Sequence, residues 1–201
     1  MLSATEGIVL NSIKYGENSL IATIYTKDAG RQSFIINAIR NKKKVYRQGI
    51  LQPLFLVELI AYYKDSRDIQ RIKEIKNCPV YQNIPFDVSR SAQALFIAEI
   101  LNKTLREQES SPLLFDFIKN SLLFFDLTEK STANFHLYFL FHLTEYLGFM
   151  PNINKTKDEG WFDMQKGSVE FRNQNILTLL IKIQQHFFAA LTRSDYKTST
   201  N

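Results

Sequence analysis

The sequence predicts an α+β protein, in which a small five-stranded barrel is followed by a helical domain with a small extended hairpin. Three observations lead there. Within residues 1–80, short β-rich runs alternate with turn residues. From Ile84 onward the apolar spacing changes to a helical period. The charge divides at the same place. Residues 1–80 carry 13 Lys+Arg against 7 Asp+Glu, a balance of +6, and residues 81–201 carry 12 against 13, a balance of −1. The expected domains are therefore 1–80, binding nucleic acid, and 81–201, a helical bundle that binds partners.

Taken in order, residues 5–13 (TEGIVLNSI) read as a strand because β-branched residues dominate. Gly7 within it marks a bulge or a close backbone approach. Residues 15–18 form a turn, and residues 19–26 (SLIATIYT) form a second strand. Lys27-Asp28-Ala29-Gly30 is a hairpin turn. Residues 31–39 are a third strand, with Phe34 expected in the core. Residues 51–63 are a fourth, with Pro53 near its start, where a missing donor is tolerated. Residues 68–76 (DIQRIKEIK) fit a fifth strand at an edge, which their charges would blunt. Five strands interrupted between the third and fourth match the order of an OB-fold. An SH3-like barrel fits the same pattern.

The helical half begins after Asn77-Cys78-Pro79. Residues 89–108 form a first helix, expected to turn Ala92, Leu95, Phe96, Ile100 and Leu101 toward a core. Ser111-Pro112 opens a second helix over 113–127, since Pro fits the first helical turn. Ser131 or Thr132 caps a third that runs to Gly148, a left-handed C-terminal cap. That helix is apolar nearly all round and is expected to be the buried centre of the bundle. Residues 161–164 and 168–171 form the hairpin, and residues 175–192 form a last helix.

Composition excludes several classes. The 201 residues are 45% hydrophobic and 22% charged, ordinary for a globular protein. The one cysteine, Cys78, excludes an intrachain disulfide and a Cys-only zinc site, and it fits a reducing compartment. The first ten residues have no basic-then-apolar signal pattern, and the apolar clusters are too short to span a bilayer. A cytoplasmic protein with no membrane partner is expected. No P-loop, nucleophile elbow or paired catalytic carboxylates stand out, so neither an enzyme nor a cofactor is expected. His136 and His142 are six residues apart, on different faces of one helix, and read as satisfied bundle histidines rather than metal ligands.

The candidate site is Arg40-Asn41-Lys42-Lys43-Lys44-Val45-Tyr46-Arg47, which has five cations in eight positions and no acid. Arg40, Lys42, Lys43, Lys44 and Arg47 would neutralise phosphates, and Tyr46 would stack on a base. Arg31 and Lys14 are further candidates, although either would serve equally as a solvated strand end. Among the helices, Phe115 belongs to an aromatic stretch that would line a pocket for a partner's terminal ring. Lys103, Arg106 and Lys119 are candidates to meet that partner's carboxylates. The bland alternatives are a solvated loop and a packed core.

The run EGIVLNSIKYGENSLIATIYTKDAGRQSFIINAIR, Glu6 to Arg40, resembles the opening of the bacterial RecO family of recombination mediators. Leu51-Gln52-Pro53-Leu54 resembles that family's Leu-Gln-Pro segment. Glu99-Ile100-Leu101 and Tyr146-Leu147-Gly148-Phe149-Met150-Pro151 resemble its helical half more loosely. The resemblance implies an OB-fold that binds single- and double-stranded DNA and anneals complementary strands. It implies cooperation with RecR in loading recombinase onto DNA coated by single-stranded DNA-binding protein (SSB). It also implies a helical domain that docks the acidic, Phe-ended SSB tail, and a place in the bacterial cytoplasm at the nucleoid. Many members carry a four-cysteine zinc module after the Leu-Gly-Phe-x-Pro stretch. Residues 152–160 hold no cysteine, so the metal does not carry over. A protein-interaction scaffold and an RNA-binding OB protein are the alternatives.

Overall fold

The structure is a computed structural model that describes residues 1–17, 19–37, 48–64, 66–106, 109–150, 161–163 and 168–170. Five strands, β1 (Leu2–Tyr15), β2 (Ser19–Thr26), β3 (Gly30–Asn37), β4 (Leu56–Tyr62) and β5 (Ile69–Asn77), close a barrel in the order β1-β2-β3-β5-β4. Every pairing is antiparallel except that of β3 with β5. This is the OB-fold, as expected.

β1 is longer than its apolar pattern because it serves two neighbours. Residues 2–8 pair with β4 and residues 7–15 with β2, and the register shifts between Val9 and Asn11. Gly7 pairs with both strands, and a Cβ on it would meet Ile24 Cγ2 at 2.5 Å and Leu59 Cδ2 at 3.1 Å. The close approach expected of this glycine is therefore real, while the bulge falls beyond Val9. The β2–β3 hairpin turns through a left-handed Gly30, with Thr26 Oγ1 donating to Gly30 O at 2.9 Å. Ala22, Ile24, Phe34, Ile36, Val57, Leu59 and Ala61 point inward and are buried. Each of the Ile, Phe, Val and Leu side chains among them contributes about 1.5–3 kcal/mol.

Two strand expectations need correction. Residues 51–55 are not strand. Leu51 ends a short 3-10 turn (Gln48–Leu51), and Leu54 is left-handed at φ 66°. Pro53 brings no N–H to a ladder, and the chain instead turns back on β1. Leu54 N donates to Val9 O at 2.7 Å, and Val9 N donates to Phe55 O at 3.0 Å. Leu54 is fully buried, and its carbonyl accepts from Tyr81 Oη at 2.8 Å, so burial and two hydrogen bonds offset the backbone strain. Nor is β5 an edge. It pairs with β4 along its length and with β3 over Ser33–Ile35, and its charges lie on the barrel's outside.

The strands give way to helices α1 (Val88–Thr104), α2 (Pro112–Leu127) and α3 (Phe135–Tyr146). α1 buries Ala94, Ile97, Ala98 and Leu101. Ala92, Leu95 and Phe96 are exposed and Ile100 is half-buried, so the expected face is rotated. The cause is Arg90, one turn before Ala94. Its guanidinium donates to Phe125 O, Asp126 O and Thr128 O, each at 2.7 Å, and fixes α1 against the last turn of α2. Asp126 is buried beside it and accepts from the backbone N–H groups of Gln82, Asn83 and Ile84, each at 2.8 Å. α2 starts at Pro112 as expected. α3 buries one stripe, Phe135, Tyr138, Phe139, His142 and Leu143, rather than its whole surface, with Leu137 and Tyr146 exposed. It ends at left-handed Gly148, whose N–H donates to Glu145 O at 3.2 Å while Phe149 N–H donates to Thr144 O at 3.0 Å.

The hairpin is present as β6 (Trp161–Asp163) and β7 (Ser168–Glu170), paired antiparallel. The helix expected over 175–192 lies outside the described residues. The chain divides into two compact units, Met1–His136 and Leu137–Asn201. Within the first, α1 and α2 are bonded to the barrel.

Candidate nucleic-acid interface

Strand register places side chains on the barrel's outer surface without ambiguity, because alternate residues face opposite sides. One row crosses all five strands. Ile13 pairs with Ile21, Ile21 with Ile35, Ile35 with Arg71, and Arg71 with Tyr62. On one side of it lies the row Asn11–Thr23–Ser33–Ile69, and on the other Tyr15 pairs with Ser19. Ile13, Tyr15, Tyr62 and Ile69 are all exposed. Lys73 is exposed at the border of these rows, and Lys64 and Arg67 are exposed on the loop joining β4 to β5. Among the described residues, neither Lys14 nor Arg71 is held in an ion pair. The result is an open face with rings and branched aliphatics at its centre and cations at its rim. Such a face can stack bases and neutralise phosphates together.

The sequence reading missed Tyr62, Arg71 and Ile13. For Arg71 the signal was the period-two alternation of β5, in which Ile72 faces in while Arg71 and Lys73 face out. That alternation was read as edge protection instead. The cations that were singled out have different fates. Lys14 is exposed but alternates with Ile13 and Tyr15, so it points away from the open row. Arg31, at the start of β3, is a strut. Its Nη1 donates to Asn102 O and Leu105 O, each at 2.9 Å, and its Nη2 to Asn102 Oδ1 at 3.0 Å. Burial, and then the nearby Arg106 charge, pull Arg31 below the ordinary guanidinium value. Arg40, Lys42, Lys43, Lys44, Tyr46 and Arg47 lie outside the described residues.

The residues expected to meet a partner are not gathered together. Phe115 is 1% exposed and stacks on Tyr25 at 6.3 Å between ring centroids, so it is core and lines no open pocket. Lys119 is ion-paired with Glu6. Lys103 pairs with Glu99 at 2.7 Å, one turn back, and Arg106 Nε donates to Lys103 O at 3.0 Å.

The barrel's other outer face has a different character. Glu6 pairs with Glu58 and Glu58 with Lys76, while Ala4 pairs with Ile60 and Ile60 with Glu74. With Thr5, Lys27 and Asp28 these residues line a cleft of about 1080 Å³. Glu58 sits below the usual carboxylate range because the Cys78 thiol and then Lys76 bond to it. The same carboxylate raises the Cys78 thiol. Lys27 reaches across to Asp116 on α2 at 2.9 Å.

Comparison with known proteins places the chain in a family. Residues 1–80 match the model of the recombination protein O N-terminal domain, and residues 85–160 match that of its C-terminal domain. A protein of Bacteroides fragilis named DNA repair protein RecO is 40% identical over 164 residues, which cover 82% of this chain and 68% of that one. The chain belongs to the RecO family. Other RecO proteins, from Phocaeicola vulgatus and Flavobacterium psychrophilum, are 36% and 35% identical and are likewise covered over 68% of their length. The N-terminal RecO match spans the whole barrel. The C-terminal RecO match spans α1, α2 and α3. The chain is thus a RecO-family DNA repair protein with an OB-fold, and no helix among its described residues is long and apolar enough to cross a membrane.

Proposed function

We propose that this chain is a recombination mediator whose barrel binds single- and double-stranded DNA on its open face and anneals complementary strands. The observation that carries the reading is the row Ile13–Ile21–Ile35–Arg71–Tyr62, which runs round the barrel with cations along its rim. The mechanism is physical. Two strands repel through their phosphates. A cationic surface that holds both lowers the repulsion and raises their local concentration, so pairing nucleates faster. No covalent step and no cofactor enter. The basic segment from Arg40 to Arg47 begins three residues after β3 ends in the sequence.

Family membership supports the remaining steps. The chain works with RecR, and its helical half recruits DNA coated by SSB, so that recombinase is loaded at the nucleoid.

Fluorescence anisotropy of a labelled single strand across a salt series tests the reading. Tight binding that weakens steeply with salt is expected. Changing Lys42, Lys43, Lys44 and Arg47 together to Ala lowers the slope by about 0.7 for each lost contact. An RNA competitor of the same sequence separates DNA from RNA preference. No binding at low salt overturns direct DNA recognition and leaves a protein-binding scaffold.

A further inference from the structure

We infer, on the reading of the open face as a DNA site, that Asn11, Thr23 and Ser33 form an uncharged hydrogen-bonding rail. The rail holds the sugar–phosphate backbone of a single strand whose bases lie on the row from Ile13 to Tyr62.

Placement comes first. Asn11 on β1 pairs with Thr23 on β2, and Thr23 with Ser33 on β3. The three side chains leave the barrel side by side, on strands about 4.8 Å apart. Two positions further along each strand the next outward residue is an isoleucine, Ile13, Ile21 or Ile35. Two residues of strand span about 6.6 Å. A polar line thus runs beside the apolar one, at a separation that a sugar ring bridges. On its other side the outward pair is Tyr25 and Arg31. Tyr25 is buried and stacks on Phe115, and Arg31 is bonded to α1. The rail lies between the apolar row and the part of the barrel that the helices cover. Asn11 reaches it through the irregularity in β1. Val9 faces the core, so strict alternation would turn Asn11 inward as well, and the register shift between them sends it outward.

The chemistry follows from what these groups leave unused. Asn11 is exposed, and Thr23 and Ser33 are half-buried. Among the described residues, none of the three side chains makes a hydrogen bond within the fold. Ser12, which faces the other way, is bonded, donating to Leu51 O at 3.1 Å. Hydroxyls and amides bond to phosphate oxygens and sugars, contacts that fix a strand's register without reading its sequence. Rings take the faces of bases. A strand laid with its backbone on the rail and its bases on the row keeps its pairing edges free. A complementary strand can pair with it while it is held, which a surface bonded to the base edges would prevent. The rail carries no charge, so its contacts add nothing to the salt slope.

The experiment titrates oligothymidine, oligodeoxycytidine and an abasic strand, each of about 16 nucleotides, onto the full chain and onto an N11A/T23V/S33A variant. Anisotropy at low salt reads the affinity. The variant should bind all three strands about tenfold more weakly, and the near-isosteric T23V alone about two- to threefold. The salt slope should be unchanged. S33T, which keeps a hydroxyl, should bind as wild type does, and equal melting temperatures should show that the fold is intact. Tyr62→Ala should instead weaken the two base-bearing strands and leave the abasic one unaffected. If neither rail variant loses affinity for any strand, the rail is not a contact surface. If the loss is confined to base-bearing strands, or differs between thymidine and cytidine, the three side chains read bases and their assignment to the backbone is overturned. If wild type binds none of the strands, the open-face reading itself fails, a result distinct from wild-type binding that the rail variants share.

Discussion

The two outer faces of this barrel are built from the same strands and use their charges in opposite ways. On the face that carries α2, Lys119 is paired with Glu6, Lys27 with Asp116 and Lys76 with Glu58. On the open face, Arg71 is held in no ion pair with a described residue and lies in a row of Ile and Tyr. A count of basic residues does not distinguish the faces; the partner of each cation does. A charge whose hydrogen bonds are satisfied within the fold contributes to stability, and one left in water is available to a polyanion. Stability and DNA affinity should therefore respond to different mutations.

The largest expected effect is on the satisfied side. Arg90→Ala removes three bonds to the carbonyls of Phe125, Asp126 and Thr128 at the end of α2. Hydrogen bonds to a charged group contribute about 1.5–3 kcal/mol each, less when lost together, so destabilisation of about 3 kcal/mol is expected. Urea unfolding measures it. A loss below about 1 kcal/mol would show that the junction is not what holds α1 in its rotation.

The second prediction concerns the seam between the faces. Gly7 is where β1 passes from β4 to β2, and a methyl group there meets Ile24 at a distance that real contacts do not show. Gly7→Ala should cost about 1–3 kcal/mol through overpacking. DNA affinity, measured well below the new melting temperature, should stay within about twofold because no group on the open row has changed. A large loss of affinity with little loss of stability would mean that the open face depends on the seam's geometry.

How much of this was legible in the sequence follows from the same physics. Strands β2, β3 and β5, the hairpin at Gly30 and the cap at Gly148 are local, set by side-chain alternation and backbone freedom, and they lie where the pattern puts them. The turn at Leu54 was not legible, because a left-handed leucine is stable only when Val9 and Tyr81 bond to it from elsewhere in the chain. The rotation of α1 escaped for a similar reason. Leu95 and Phe96 make as good an apolar stripe as Ala94 and Ile97 until Arg90 meets the end of α2. At the site, the sequence shows which residues are basic but not which are already bonded. Arg31 and Lys119 read as available and are engaged, whereas Arg71 reads as an edge guard and borders the open row.

A third prediction tests the open face directly. Tyr62→Ala should weaken single-strand binding by about 1–3 kcal/mol, the range for one base stacked on a ring. Tyr62 is 46% exposed, so stability should change by about 0.5 kcal/mol or less. Anisotropy and urea unfolding on the same sample decide it. If Tyr62→Ala and Arg71→Ala both leave affinity unchanged, the row is not the binding surface, and the site belongs to the segment after β3 alone.

The smallest effect separates interior from surface through pH. Burial lowers His142 below its ordinary value of 6.5, against a weaker opposing pull from Glu145. The folded protein therefore holds this proton less tightly than the unfolded chain does. Below pH 6.5 the unfolded state binds more protons, and stability must fall as pH drops from that value through the folded pKa. Above 6.5 the histidine is neutral in both states and contributes no slope. The open face behaves differently, because residues 1–80, which build the barrel, contain no histidine. Urea midpoints across that range should decline on the acid side, and a His142→Phe variant should show a shallower decline. DNA affinity at fixed salt should stay level over the same interval for as long as the protein is folded. An affinity that falls together with the urea midpoint while the chain remains folded would place a titrating group at the DNA surface, and the division between a bonded interior and an open cationic face would have to be redrawn around it.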